Sequence, residues 1–190
     1  MTDSAAQPAP APAPGRGRVT PLPYDDWDTD ALAPLAAGRT LPPNNALGLL
    51  ARHPDLARAF LSFNTHLLGT TTLPRRTREL AILRVAWRRR CRYEWAQHVL
   101  IARRAGVSEQ EIAEVRAGTP TALNRAVDEL ETGSRLSDET YRALAAGLDD
   151  RQLLDLVFTV GGYGALAMAL NTFEVELDTG LSDENFTDVD

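Results

Sequence analysis

At 190 residues the chain has the length of one domain with a proper core, and its 44% hydrophobic and 24% charged residues are those of an ordinary soluble globular protein. The formal net charge of -6 argues against a general nucleic-acid binder, which needs clustered positive charge to neutralise phosphates. The single cysteine, Cys91, excludes an intrachain disulfide framework and a multi-cysteine metal site.

Residues 1–18 alternate Ala and Pro, a composition that cannot pack a core, and are expected to form a disordered tail with no secretory signal. Pro21 and Pro23 mark an extended lead-in, and Asp28 is placed to cap a short helix ending at Gly38. The stretch LPPNN at 41–45 reads as a turn, with Asn44 or Asn45 capping a helix that stops at His53, before Pro54. Pro54 opens the next helix, in which Leu56, Phe60, Phe63 and Leu67 recur on one face until Gly69 and the threonines 70–72 end it. Pro74 sits at the first position of a long helix to about Arg90 with a stripe of Leu80, Leu83 and Trp87. Another helix runs from about Arg92 to Ala105 and closes at Gly106, a natural left-handed cap.

Ser108 and Glu111 form a capping box for a short helix to Gly118, Pro120 begins one to Gly133, and Ser137 caps one to Gly147. Asp149, with Gln152 three residues on, opens a last helix expected to reach Leu177, kinked or closely approached at Gly161, Gly162 and Gly164. Its uncharged run from Leu156 to Phe173 approaches membrane-spanning length, but these glycines, Tyr163 and Asn171 dilute it. A buried or subunit-interface helix, no membrane partner and a cytoplasmic location are therefore expected. Residues 19–180 read as a single helical domain and 181–190 as a loose acidic tail. No stretch reads as a strand, so the fold class is all-α.

Four residues of the chain centre carry chemistry. Glu79 projects between Leu83 and Ala86, inside the arc of Leu80 and Trp87, so its carboxylate points into the core and needs a partner or a raised pKa. A structural ion pair with Arg76 or Arg84 is as good a reading as a functional one. Cys91, Glu94 and His98 fall at i, i+3 and i+7 on one helix face, with Glu94 and His98 a turn apart. A carboxylate beside an imidazole orients the ring and makes it a usable base near neutral pH. The plainer alternative is a surface Glu-His pair, but the same face continues into Ile101 and Ala105, which favours burial. Cys91 lies at a helix start beside Arg90 and Arg92, which would favour thiolate; lone cysteines nevertheless mostly pack, and packing is the preferred role.

Glu-x3-His offers too few ligands for a metal site, and none is expected. The ten arginines between Arg75 and Arg104 face only Glu79 and Glu94 locally, and read as a solvated or intersubunit salt-bridge surface, or as steering for an anionic substrate. Tyr93 and Trp95 are core or pocket wall, and His66 sits at the edge of its helix's apolar stripe beside Ala59.

The pattern Glu79-x11-Cys91-x2-Glu94-x3-His98 resembles the active-site pattern of the carboxymuconolactone decarboxylase and alkylhydroperoxidase AhpD-like superfamily. In its peroxidase branch a Glu precedes a Cys-x-x-Cys pair and a His; Glu79, Cys91 and His98 fall on matching positions, and Glu94 replaces the second cysteine. NALGLLARHPDLARAFLSF, TLPRRTRELAILRVAW, YEWAQHVLIARRAGVSEQEI and LVFTVGGYGALAMALNTF resemble the decarboxylase-like branch over roughly residues 40–177. The resemblance implies an AhpD-like helical bundle that assembles into homo-oligomers, trimers or hexamers, with the site lined by a neighbouring subunit. A lone cysteine cannot close a dithiol peroxidase cycle, which leaves proton chemistry.

By resemblance His98 is the acid or base, Glu94 its partner, and Glu79 the completion of the relay, without metal or organic cofactor. Cys91 lines the site without reacting, and Asn45, Tyr163 and Asn171 are pocket donors, with Tyr93, Trp95 and His66 as further candidate substrate contacts. The expected function is a cofactor-independent lyase or isomerase performing decarboxylation, dehydration or ring rearrangement on a small carboxylated cyclic or polyketide-like metabolite. The alternatives are a single-cysteine peroxidase resolved by an external thiol, and a non-enzymatic binding or assembly protein with a degenerate site.

Overall fold

Polar caps set most of the helix starts in the computed structural model, which describes residues 17–36, 43–183 and 186. The expected Ala/Pro tail up to residue 16, the helix end at Gly38, positions 41–42 of the turn and most of the acidic tail lie outside the described residues. After a single turn of 3-10 helix at Tyr24–Asp26 come α1 (Thr29–Ala36), α2 (Asn45–Leu50), α3 (Pro54–Thr65), α4 (Arg75–Arg88) and α5 (Arg92–Arg104). They are followed by α6 (Glu109–Ala117), α7 (Ala122–Gly133), α8 (Asp138–Ala145) and α9 (Asp150–Thr172), with no strand among the described residues. Asn44, Thr121 and Ser137 accept from the backbone three residues on, and Ser108 and Asp149 form complete capping boxes with Glu111 and Gln152.

Four boundaries differ from expectation. Pro74 is the residue before α4, and α7 starts after Thr121, so both prolines shape the approach to a helix whose start a following residue defines. A π-helical turn, His66–Thr70, extends α3 through Gly69. Helix α9 stops at Thr172, short of Leu177, because Glu174 turns left-handed at φ 52° and the Val175 amide folds back onto the Leu170 carbonyl at 3.0 Å.

Helix α4 is buried along most of its length, from Arg78 to Trp87 except Leu80, because its apolar residues surround the axis. It packs on α5, α6, α7 and α9. One core cluster joins α4 to α7, α8 and α9 through Ile82, Val85, Val127, Leu156 and Tyr163. A second joins α4 to α5 and α6 through Leu83, Trp87, Trp95 and Ile112.

The buried face of α3 is Ala57, Leu61 and Asn64, and Ala57 and Leu61 pack with Trp27, Leu32 and Leu47; of the expected Leu56–Phe60–Phe63–Leu67 stripe, Leu67 is fully buried and Phe60 packs against the same cluster. Leu56 and Phe63 remain 54% and 36% exposed, and Phe63 meets Phe158 of α9 edge to face at 6.1 Å. Small Ala57 lets α1 and α3 approach closely, and that contact decides which face turns inward. Helix α9 is long and apolar enough to cross a membrane by length and composition, yet 56% of its apolar window is buried against the rest of the fold, as in a core helix. Gly162 supplies the close approach: a Cβ there would stand 2.8 Å from the Phe63 ring.

Candidate active site

The α4–α5 connection is short and sharply bent. Arg90 adopts a left-handed conformation at φ 54° and the Cys91 amide bonds the Ala86 carbonyl at 2.9 Å, so α5 folds back along α4. This brings His98 against Glu79, and its Nδ1 lies 2.8 Å from Oε2 of that carboxylate. The other oxygen, Oε1, accepts from Arg78 Nε at 2.8 Å and Nη2 at 2.7 Å, while Arg78 Nη1 donates to the Leu68 carbonyl at 2.6 Å. The result is a buried chain of Arg78, Glu79 and His98, with Glu79 wholly excluded from solvent.

The ion pair expected with a neighbouring arginine forms, with Arg78 rather than Arg76 or Arg84 as the partner. Arg76 pairs with Glu111 and Arg84 with Asp128, and the long stem of Arg78 carries its guanidinium around to the neighbouring carboxylate, where the Leu68 carbonyl anchors it. Burial alone would raise the Glu79 carboxyl, but the hydrogen bond and charge of His98, then those of Arg78, hold it below its ordinary value. An ionised Glu79 can only accept, so Nδ1 of His98 carries the proton of their bond and Nε2 is the nitrogen left free to exchange one.

Glu94 was expected to be the partner of His98, and here the structure corrects the sequence reading. Glu79 already holds Nδ1, and both Glu94 oxygens are buried with no hydrogen-bond partner among the described residues. Burial pushes the Glu94 carboxyl well above the usual carboxylate range; the Arg89 charge pulls it partly back and the Glu131 charge adds to the rise. Its favoured form is a neutral acid, a donor in search of an acceptor.

From α9, Tyr163 presents its ring edge-on to His98, with centroids 4.9 Å apart and planes at 88°. Its hydroxyl is buried and unpartnered; Asn64 stands close without hydrogen-bonding geometry. Burial first, then the charges of Glu79 and Glu94, push this phenol well above its ordinary range, so it too remains protonated.

Glu94, His98 and Tyr163 line a cavity of about 160 Å³ at the junction of α2, α3, α5 and α9. Aliphatic side chains, Phe60 and Ile101 form most of its wall, and Asn44, Asn64, Tyr93 and Gln97 complete the polar part. A wider groove of 690 Å³ follows residues 17–27 and 174–179 but contains none of Glu79, Glu94 or His98, so the chemistry selects the smaller cavity. Among the described residues no arginine lines that cavity. Much of the arginine run is committed to intramolecular pairs, among them Arg89 with Glu131, Arg92 with Asp183 and Arg103 with Glu109. Among the described residues no group of three or more His, Cys, Asp or Glu is placed to hold a metal ion.

The other candidates disperse. Cys91 is buried among Leu49, Tyr93, Ala167 and Leu170, outside the cavity wall, and its thiol is pushed up to about 12 by burial and then by the Glu94 charge. The thiolate bias expected from Arg90 and Arg92 is absent, since Arg90 stacks over Trp87 and Arg92 turns to Asp183. Tyr93 lines the cavity and donates to Asp178 at 2.6 Å. Trp95 packs on Trp87 and Phe186 instead. Asn45 pins the segment after α9, giving Nδ2 to the Glu176 carbonyl at 3.0 Å and its amide to Asp178 at 2.7 Å; its neighbour Asn44 is the one at the cavity.

Asn171 donates to the Arg89 carbonyl at 2.7 Å, away from the cavity. His66 bonds Asp155 at 2.8 Å, and Asp155 also accepts from the Thr72 amide and hydroxyl, a brace for the turn before α4. Sequence reasoning missed Arg78, Asn64 and Gln97. Asn64 had a signal, a lone amide on the Ala57–Leu61 face, but that face was not the one chosen.

A glutamate and a histidine from consecutive helices, meeting beneath a third helix in an all-α fold, define an AhpD-like helical protein. Residues 54–127 match the carboxymuconolactone decarboxylase family, and the fold is that of AhpD-like proteins. The alkylhydroperoxidase AhpD core of a peroxidase-related protein from Ralstonia eutropha JMP134 superposes with a TM-score of 0.70 at 17% identity, covering 88% of this chain and 95% of that one. A peroxidase-related protein from Silicibacter sp. TM1040 gives 0.67 at 16% identity, covering 96% and 99%. The debrominase Bmp8, solved with 2,3,4-tribromopyrrole, gives 0.66 at 16%, covering 85% and 91%. No curated protein sequence matches the chain.

Proposed function

We propose that this protein is a cofactor-independent acid–base enzyme, a lyase or isomerase that moves protons on a small cyclic metabolite. One observation carries the reading: the buried Arg78–Glu79–His98 chain ends in a cavity that also holds the partnerless Glu94. His98 Nε2 takes the proton from a carbon next to a carbonyl, and Glu79 stabilises the imidazolium through Nδ1. Glu94 and Tyr163 are protonated donors for the charge that develops on oxygen. Dehydration and ring rearrangement share this step; in decarboxylation the C–C bond to the carboxylate breaks instead, carbon dioxide leaves, and protonated His98 delivers a proton to the carbon. The structural neighbour Bmp8, solved with a substituted pyrrole, supports a single small ring as occupant.

The thiol-dependent alternative draws on the peroxidase-related structural neighbours, but Cys91 is buried and lies outside the cavity wall. A degenerate binding site is a poorer account of a buried charged chain, whose desolvation cost persists unless function or packing requires it. Assembly belongs to the same reading: α9 leaves Leu154, Val157, Phe158 and Met168 exposed, a stripe that a second copy would cover.

The test incubates wild type and His98→Ala with a metabolite extract of the source organism and follows compounds consumed or carbon dioxide released. Consumption by wild type alone supports the reading, with His98→Ala slower by about 10²- to 10⁴-fold. An equally active His98→Ala protein refutes it.

A further inference from the structure

The cavity's lining is specific about charge. Among the described residues its wall carries aliphatic and aromatic groups, amides and protic groups, and no arginine. The nearby cations are already engaged: Arg78 by Glu79 and the Leu68 carbonyl, and Arg89 by Glu131. A carboxylate entering this space would lose its water and find, among the described residues, no arginine on the wall to pair with; His98 is the one base there, and its Nδ1 is already bonded to Glu79.

Size narrows the occupant further. A volume of about 160 Å³ is close to the roughly 150 Å³ apolar cavity that takes benzene, so one six-membered ring with small substituents fits. Two groups of the wall, Glu94 and Tyr163, are buried polar side chains without partners. A ketone or lactone oxygen has two lone pairs and can accept from both.

We propose that the cavity selects an uncharged single ring bearing a carbonyl, a cyclic ketone, enone or lactone whose oxygen accepts from Glu94 and Tyr163, and that it excludes ring carboxylates of the same size. This rests on the reading of the cavity as the active site. During turnover the C–H bond next to the carbonyl breaks and its proton forms an N–H bond at His98 Nε2. The released electron pair forms a carbon–carbon double bond, and the carbonyl π pair moves onto oxygen, where the two donors hold it. In a ring with a carbon–carbon double bond beside the enolate, return of the same proton to the far carbon of that double bond shifts the alkene and restores the carbonyl, leaving an isomer with no oxidant or reductant consumed; in a saturated ring the proton returns to the carbon it left.

The experiment measures binding, by ligand-observed NMR, of cyclohex-2-enone, δ-valerolactone and cyclohex-1-ene-carboxylate to the full chain. The expected result is saturable binding of both neutral rings and at least tenfold weaker binding of the carboxylate. Tyr163→Phe, which keeps the ring against His98, and Glu94→Leu should each weaken cyclohexenone about 5- to 30-fold, the loss of one hydrogen bond to the carbonyl. A carboxylate that binds as well as the neutral rings, neutral rings that do not bind, or cyclohexenone affinity unchanged in folded Tyr163→Phe overturns the proposal. His98-dependent turnover with a preference for carboxylates would sink this inference and leave the acid–base reading standing. Selective binding of neutral rings with turnover intact in His98→Ala would do the reverse.

Discussion

Replacing Glu94 with Gln isolates the consequence of burying an acid without a partner. The unfolded carboxyl titrates near 4.5 and the folded one well above it, so between those two points the native state holds one proton more than the unfolded chain. Stability that is fully present below 4.5 is therefore lost as pH rises, by about 1.4 kcal/mol per pH unit, until the buried group ionises. Glutamine has the shape of the neutral acid and does not titrate.

The variant should match wild type closely at pH 4.5 and become the more stable protein as pH approaches neutrality, while losing turnover. Glu79 and Asp155 carry the opposite sign: their folded carboxyls are lowered, so their contribution is present above 4.5 and 3.8 respectively and is lost only on acidification. They add no slope in the window above 4.5. Urea unfolding of both proteins in steps from pH 4.5 to about 7.5 reads the difference directly. A gap between the two that stays constant across this range would mean that Glu94 ionises like an exposed carboxylate, and the argument from its burial would fail.

Glu79→Gln should cost about 3–5 kcal/mol in urea unfolding, because it leaves Arg78 buried opposite a neutral amide, and should abolish turnover. Adding Arg78→Met should recover part of that stability and none of the activity; full additivity of the two losses would contradict the pairing. Cys91→Ser should keep turnover and lose about 1–3 kcal/mol, since the hydroxyl enters an apolar cluster, and a folded but inactive variant would return the thiol to the mechanism. Asp155→Asn should lose about 1.5 kcal/mol at neutral pH, the low end for charged hydrogen bonds because His66 is open to solvent. Its gap to wild type should close as pH falls through the lowered folded pKa of Asp155, and a gap that persists in acid would refute the brace.

Helix count and most starts were legible because caps are local: Asn44, Ser108, Ser137 and Asp149 each bond a backbone amide within one turn. The end of α9 was not legible, since nothing in the composition of Phe173–Leu177 reveals that Glu174 turns left-handed. The site was legible in part. The position of Glu79 on α4 predicted its burial, but its bond to His98 spans nineteen residues of sequence separation and depends on how α5 folds back at Arg90. The i, i+4 rule made Glu94 the natural partner of His98, and it failed because an intrahelical pair competes with tertiary partners that a single helix does not display. The inward face of α3 was misread in part for a related reason: large apolar residues were taken as the buried stripe, whereas Ala57 set the approach of α1.

Glu94 also bears on the role of Cys91. In the Cys-x-x-Cys arrangement that the sequence resembles, this position would hold the second sulfur; here it holds a carboxyl one helical turn from the remaining thiol. That carboxyl acts in two directions. Unpartnered beside His98 and Tyr163, it supplies a proton donor that a thiol could not match as a hydrogen bonder. Burial is the larger cause of the raised Cys91 thiol, and the Glu94 carboxyl, once ionised, raises it further, so the thiolate needed for peroxide attack is suppressed at neutral pH chiefly by burial. Glu94→Cys restores the two-sulfur pattern and removes the cavity's carboxyl together. It should therefore gain thiol reactivity, read by alkylation rate at neutral pH, while losing the acid–base turnover, and a variant that keeps the turnover would show that the carboxyl was never the donor.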